Sequence, residues 1–160
     1  MLTAVDQSLS ISQFSILQIG DLQLAFPQNQ IASVDLLGDM DTSQSNQLNV
    51  GWLNNEKQSW PIFAISSSLS VLPTIPEQRR FCVCFHPAMA TQSYCGLLAD
   101  AVLPYVLSDS SSIEILPDCM FNPHSPIRQF FKNDNKITFI CDSNDITRFL
   151  NDEERAYGRD

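Results

Sequence analysis

Residues 14–27 read Phe14-Ser-Ile-Leu-Gln-Ile-Gly-Asp-Leu-Gln-Leu-Ala-Phe-Pro27. Phe14–Ile19 is an apolar run, and Gly20-Asp21 is a polar break. Beyond the break, Leu22, Leu24 and Phe26 recur at period two. Alternate residues of a strand share a face, so the second run is a half-buried strand. Gly20-Asp21 is then the turn of a β-hairpin whose second arm ends at Pro27. The chain enters β-structure directly after a polar arm of about a dozen residues.

The same punctuation continues outward. Ile31, Val34 and Leu36-Leu37 predict a short turn and a strand. Asp39–Gln47 is polar and aperiodic, a loop. Val50–Leu53 and Trp60–Ile65 are apolar runs around Asn54-Asn55-Glu56-Lys57, and Asn tolerates the positive φ of a turn. Ser66–Leu72 predicts a helical turn, closed by Pro73 and Pro76. Phe81–Phe85 and Tyr94–Leu98 are further strands. Pro104 makes Asp100–Leu107 an edge or bent strand. Ser108–Ser112 and Met120–Pro126 are irregular. Ile137–Cys141 is a strand behind an Asn133-Asp134-Asn135 turn. Asp142–Leu150 predicts a helix, with Asp142 or Ser143 at its N-cap and Ile146, Phe149 and Leu150 on one face. The last ten residues are charged and are expected to fray. Nine or ten short strands and one helix make a mainly β barrel or sandwich. Pro73–Arg80 is expected to divide two lobes sharing one core, within a single domain over residues 1–160.

The chain has 160 residues, 9 Lys+Arg against 18 Asp+Glu, and a formal net charge of −9. That balance gives no grip on phosphate backbones and disfavours anionic membrane surfaces, but it suits a protein partner carrying positive charge. No apolar run reaches the ~20 residues that cross a bilayer. Five cysteines, an odd number with no apolar leader, predict free thiols in a cytoplasmic setting.

Reactive constellations are sparse. Cys82-x-Cys84-x-His86 alternates on one strand face, and Cys95 on the next strand could complete a tetrahedral set. A flat strand spaces such ligands about 7 Å apart, too wide to chelate, and Phe81, Val83 and Phe85 fill the opposite face. Packing is therefore the stronger reading, and a metal or redox module the alternative one. His86 and His124 lack an accompanying nucleophile motif. Asp39/Asp41 and Asp142/Asp145 read as loop solvation and helix-dipole preference. There is no phosphate-binding glycine loop, so no cofactor is expected. Gly96, inside a strand, marks a bulge or a close backbone approach. By elimination, a binding or scaffolding module is favoured over an enzyme.

The order of segments resembles the CheW-like domain of bacterial chemotaxis adaptors. The hairpin at 14–27 looks like that family's opening hairpin, and Ile31-Ala-Ser-Val-Asp-Leu36 like its next strand. Val50-Gly-Trp-Leu53 and Pro61-Ile-Phe-Ala-Ile65 look like its central hairpin. Gly96-Leu-Leu-Ala-Asp-Ala-Val102 is similar to its Gly-Leu-Leu-Val-Asp-Arg-Val stretch, and Ile137–Leu150 to its closing strand and helix. The resemblance covers about residues 14–150. It implies two small SH3-like five-stranded β-barrel lobes with a shared core and a C-terminal helix. It also implies a non-enzymatic adaptor that joins a chemoreceptor's cytoplasmic tip to a histidine kinase's regulatory domain.

Three positions depart from the family pattern. Its Asn-Leu-Arg-Gly turn is Leu53-Asn54-Asn55-Glu56-Lys57 here, an Asp after the central strand is Ala64, and the Asp-Arg pair is Asp100-Ala101. Neither Asn nor Lys reproduces an arginine fork. The resemblance therefore implies a divergent member with altered partners, of the kind found in chemotaxis or pilus-motility signalling. It places partner contacts at Asn54, Asn55, Glu56 and Lys57 of the hairpin tip, and at Leu36 and Asp100 for the groove between lobes.

Overall fold

The computed structural model describes residues 12–43, 48–55, 57–87, 94–107, 112–117, 119 and 124–158. Strands β1 (Ser12–Ile19) and β2 (Leu22–Pro27) form the opening hairpin, with Phe14 opposite Pro27 and Ile19 opposite Leu22. Gly20 in its turn has φ +60°, a conformation that favours glycine. β3 (Ile31–Leu36), β4 (Gly51–Asn54), β5 (Ser59–Ile65), β6 (Val71–Leu72), β7 (Phe81–Phe85) and β8 (Cys95–Ala99) follow. Then come β9 (Ala101–Leu107), β10 (Glu114–Ile115), β11 (Gln129–Asn133), β12 (Lys136–Ile140) and helix α1 (Ser143–Gly158).

These strands build two sheets, ordered β10-β11-β12-β2-β1-β9 and β3-β7-β8-β5-β4, with β6 attached to β5. Each sheet joins two hairpins through one parallel pair, β12 with β2 in the first and β8 with β5 in the second. A single bridge just past β3 reaches the far end of the second sheet. After β3 a 3-10 turn at Leu37–Asp39 reverses the chain, and Asp41 exchanges both backbone hydrogen bonds with Trp52 of β4 at 2.8 Å. The structure is thus mainly β, with two SH3-like lobes and one long C-terminal helix, as the resemblance implies, although each sheet has six strands where five were expected.

Apolar periodicity explains where the core lies. Met40, Leu53, Trp60, Ile62, Cys82, Cys84 and Leu98 fill the second lobe, and Phe14, Ile16, Ala25, Leu107 and Phe131 fill the first. A third, larger cluster takes the opposite strand faces of both: Leu17, Ile19, Leu24 and Phe26 meet Phe63, Val83, Phe85 and Leu97. Phe26 and Phe85 bring their rings to 4.5 Å across this shared layer. Ile146, Phe149 and Leu150 of α1 cap it. Each fully buried Phe or Leu contributes about 1.5–3 kcal/mol, so the shared layer binds the lobes as firmly as a domain interior.

Several expectations change. Ser66–Leu72 is not a helical turn: Ser66 Oγ accepts the Ser68 and Ser70 N–H groups, Leu69 takes φ +65°, and β6 returns along β5. β11 was not legible as a strand; the expected Asp134-Asn135 turn, with φ +50° and +67°, joins it to β12 as a hairpin. The residues expected to fray continue α1 to Gly158, because extending a formed helix costs little per residue. Pro73–Arg80 is a loop, yet it joins β6 to β7 within one sheet. The chain crosses between sheets at Pro27–Ile31 and at Asp100. Proline-rich composition marks a loop without telling which strands pair beyond it.

Candidate functional site

The tip of the β4–β5 hairpin is organised by Asn55. Its Oδ1 accepts the Lys57 N–H at 3.0 Å and the Gln58 N–H at 2.8 Å, while its own N–H donates to the Gln58 carbonyl. Ser59 Oγ donates to Asn54 Oδ1 at 2.6 Å. Asn54, Asn55 and Lys57 are exposed; Glu56 lies outside the described residues. Asn55 therefore shapes the turn, and Lys57 presents an exposed charge there. Asn55→Ala leaves two turn amides without an acceptor and is expected to cost about 1 kcal/mol by urea denaturation.

Leu36 ends β3 and is 61% exposed; Val34, two residues earlier on the same face, is 44% exposed. Sequence reading singled out Leu36 and passed over Val34, although period two pairs them. β3 and β4 are the two ends of the second sheet. Leu36 and the hairpin tip are thus not neighbours within that sheet.

Asp100 occupies the crossover from β8 to β9 and is committed inward. One carboxylate oxygen meets Arg79 Nη1 at 2.5 Å, and the other accepts the Gly20 N–H at 2.9 Å. Arg79 is buried, and its Nη2 donates to the Ile65 carbonyl at 2.8 Å. One ion pair thus ties the β1–β2 turn, the end of β5 and the β8–β9 crossover together. Arg79 was visible in the sequence only as half of a basic pair. Its partner stands 21 residues later, beyond the reach of any local signal.

The cysteines do not assemble into a ligand set. Cys95 pairs with Phe85, whereas Cys84 pairs with Gly96 and Cys82 with Leu98. Paired residues share a face, so Cys95 points into the shared layer, away from Cys82 and Cys84 in the second lobe. His86 is exposed at the strand end. Among the described residues no group of three potential ligands converges. The four-residue alternative site is corrected on this geometry.

Burial pushes the Cys82 thiol up to about 11, Cys84 to about 12 and Cys95 to about 11, and raises Cys141 as well. A raised folded pKa means the native state holds the proton more tightly. The resulting stability is complete below the ordinary value of 9.0 and is lost as pH rises toward 11–12. The native protein should therefore react with Ellman's reagent at exposed Cys119 alone, the other thiols appearing only on unfolding or above pH 9. Rapid reaction of several thiols at pH 8 would contradict this.

An open cavity beside the start of α1 is lined by Ile115, Arg128, Gln129, Ile140, Asp142 and Asp145. Its lining mixes both charge signs, Arg128 against Asp142 and Asp145. Asp142 is engaged as the helix cap, its Oδ1 accepting the Asp145 N–H at 2.8 Å. No helix among the described residues is long and apolar enough to cross a membrane.

No family model matches this chain, and no curated protein matches it. Among solved structures it is similar to the scaffolding protein TtCheW from Thermoanaerobacter tengcongensis, with a TM-score of 0.59 and 16% identity. The match covers 81% of this chain and 88% of that one, so it takes in both lobes. At that identity the likeness is one of architecture: the chain shares the two-lobed fold of that scaffolding protein.

Proposed function

We propose that the protein is a non-enzymatic adaptor in bacterial chemosensory or pilus-motility signalling. It would join a chemoreceptor's cytoplasmic tip to the regulatory domain of a histidine kinase, or diverged equivalents of these. The observation that carries this reading is the likeness of the whole two-lobed fold to a scaffolding protein. The separation of the thiols onto opposite strand faces favours a binding role over a metal or redox one. In this reading Asn54, Asn55, Glu56 and Lys57 meet the kinase domain, and Leu36 lines the receptor's groove. Asp100 acts through Arg79 and Gly20, holding the groove's walls in place.

The test is calorimetric titration of the purified chain with each partner fragment from the same genome. Asn54→Ala with Lys57→Ala should weaken the kinase domain about tenfold, about 1.4 kcal/mol, and leave receptor binding unchanged. Leu36→Glu should do the reverse. Parent protein that binds neither fragment sinks the proposal.

A further inference from the structure

A strand at the end of a sheet offers unpaired backbone groups, and proteins commonly blunt such edges. Three of the four sheet ends are blunted here. β4 is covered by the Asp41 bridge, β9 carries Pro104, and β10 is two residues long. β3 is six residues long, carries no proline, and no described strand pairs along its outer side.

Its register says which groups face outward. The Leu37 N–H donates to the Arg80 carbonyl, and the His86 N–H to the Gln30 carbonyl. These bonds frame Leu36↔Phe81 and Ile31↔Phe85 as non-hydrogen-bonded pairs. By the same alternation Val34↔Val83 is one too. The N–H and C=O of Val34 and the N–H of Leu36 therefore point away from β7. The Leu36 carbonyl has the Cys82 thiol 4.0 Å away. Both exposed apolar side chains lie on one face, and Asp35 stands between them on the other. Ser33 Oγ holds the Asp35 carboxylate at 2.8 Å, and exposed Asp39 follows in the next turn. Arg80 is exposed at the far end, beyond Leu37.

We propose that the outer edge of β3 takes an extended peptide as an added strand. The peptide alternates apolar and basic residues: its apolar residues lie against Val34 and Leu36, and a Lys or Arg sits opposite Asp35. Main-chain bonds to Val34 and Leu36 would give affinity, and the side chains would give choice of sequence. Opposite charges directly across a strand pair stabilise it and like charges oppose it. The acidic balance of the chain, −9, favours the same partner. This goes beyond the adaptor reading, sharing Leu36 with it but needing neither receptor nor kinase.

The test uses the purified chain and two labelled peptides, one alternating Val and Lys, the other Val and Glu, followed by fluorescence anisotropy. The Val/Lys peptide should bind at least about tenfold tighter. Val34→Pro removes an outward N–H and no bond to β7, so it should abolish binding while the unfolding midpoint stays close to the parent's. Asp35→Lys should reverse the peptide preference, and it remains decisive if the proline variant folds poorly. Undiminished binding to both variants overturns the proposal, as does absence of Val/Lys binding at about 1 mM. A bound peptide that turns helical by circular dichroism overturns the strand mode. A parent dimer that Val34→Pro dissociates assigns the edge to a second copy instead.

Discussion

Asp100→Ala is expected to cost about 3 kcal/mol of unfolding free energy, the lower end of the range for removing one partner from a buried pair. The lower end applies because Asp100 is 19% exposed. The loss falls on Arg79, which is 5% exposed and would keep its charge with one carbonyl and no carboxylate. The Gly20 amide loses its acceptor as well. The reverse change, Arg79→Met, should cost less, since Asp100 retains the Gly20 N–H and access to water. The double variant should approach the milder single one, because an apolar pair leaves no stranded charge. Guanidinium denaturation of the three variants checks the order. For a chain of this length the Asp100→Ala midpoint should also fall by roughly 6–12 °C. A loss under about 1 kcal/mol, typical of solvated surface pairs, would show that the pair does not hold the crossover.

Gly96→Ala is the second large effect. A Cβ at Gly96 would come within 2.6 Å of Ile62 Cδ1 and 2.8 Å of the Val83 carbonyl oxygen. The isoleucine can turn, but the carbonyl belongs to the β7 ladder and can yield only by breaking register. Overpacking of this kind costs about 1–3 kcal/mol, and backbone contact places Gly96→Ala at the upper end. Gly51 makes the control: its Cβ would meet Met40 Sδ at 2.7 Å, the end of a flexible side chain, with the Asp41 carbonyl at 3.0 Å. Gly51→Ala should cost clearly less, and Gly38→Ala, which meets nothing within 4 Å, close to nothing. Equal losses at Gly96 and Gly38 would refute the packing argument.

Much of this architecture was legible in the residues. The Gly20-Asp21 turn, the Asn54–Lys57 turn, the Pro104 edge strand and the Asp142 cap are local matters, settled by turn chemistry and periodicity. Gly96 was legible too, because a glycine inside a strand asks what stands too close to it. What the chain hid is non-local. β11 carries only a short Phe-Phe pair between polar residues, and its strand character comes from β12 beside it. Cys82, Cys84 and Cys95 looked like one cluster because period two is visible along a strand, while the register that turns Cys95 to the other face is set between strands. Asp100 was placed at the groove as a partner contact, yet its carboxylate is taken up by Arg79. Charge in a sequence does not reveal which partner will bury it.

The order of sheet assembly has a consequence for synthesis. The first sheet takes β1 and β2 from the start of the described chain and β9–β12 from its later part, enclosing the second sheet in sequence. On a ribosome, β3–β8 can close while the opening hairpin still lacks a neighbour for either outer flank. Leu17, Leu24 and Phe26 would then already have Phe63, Phe85 and Leu97 to lie against. The shared layer can thus act as a template that keeps the early hairpin covered until β9 and β12 emerge to flank it. Truncation before β12 should leave a folded second lobe carrying a sticky hairpin, a recognisable substrate for chaperones.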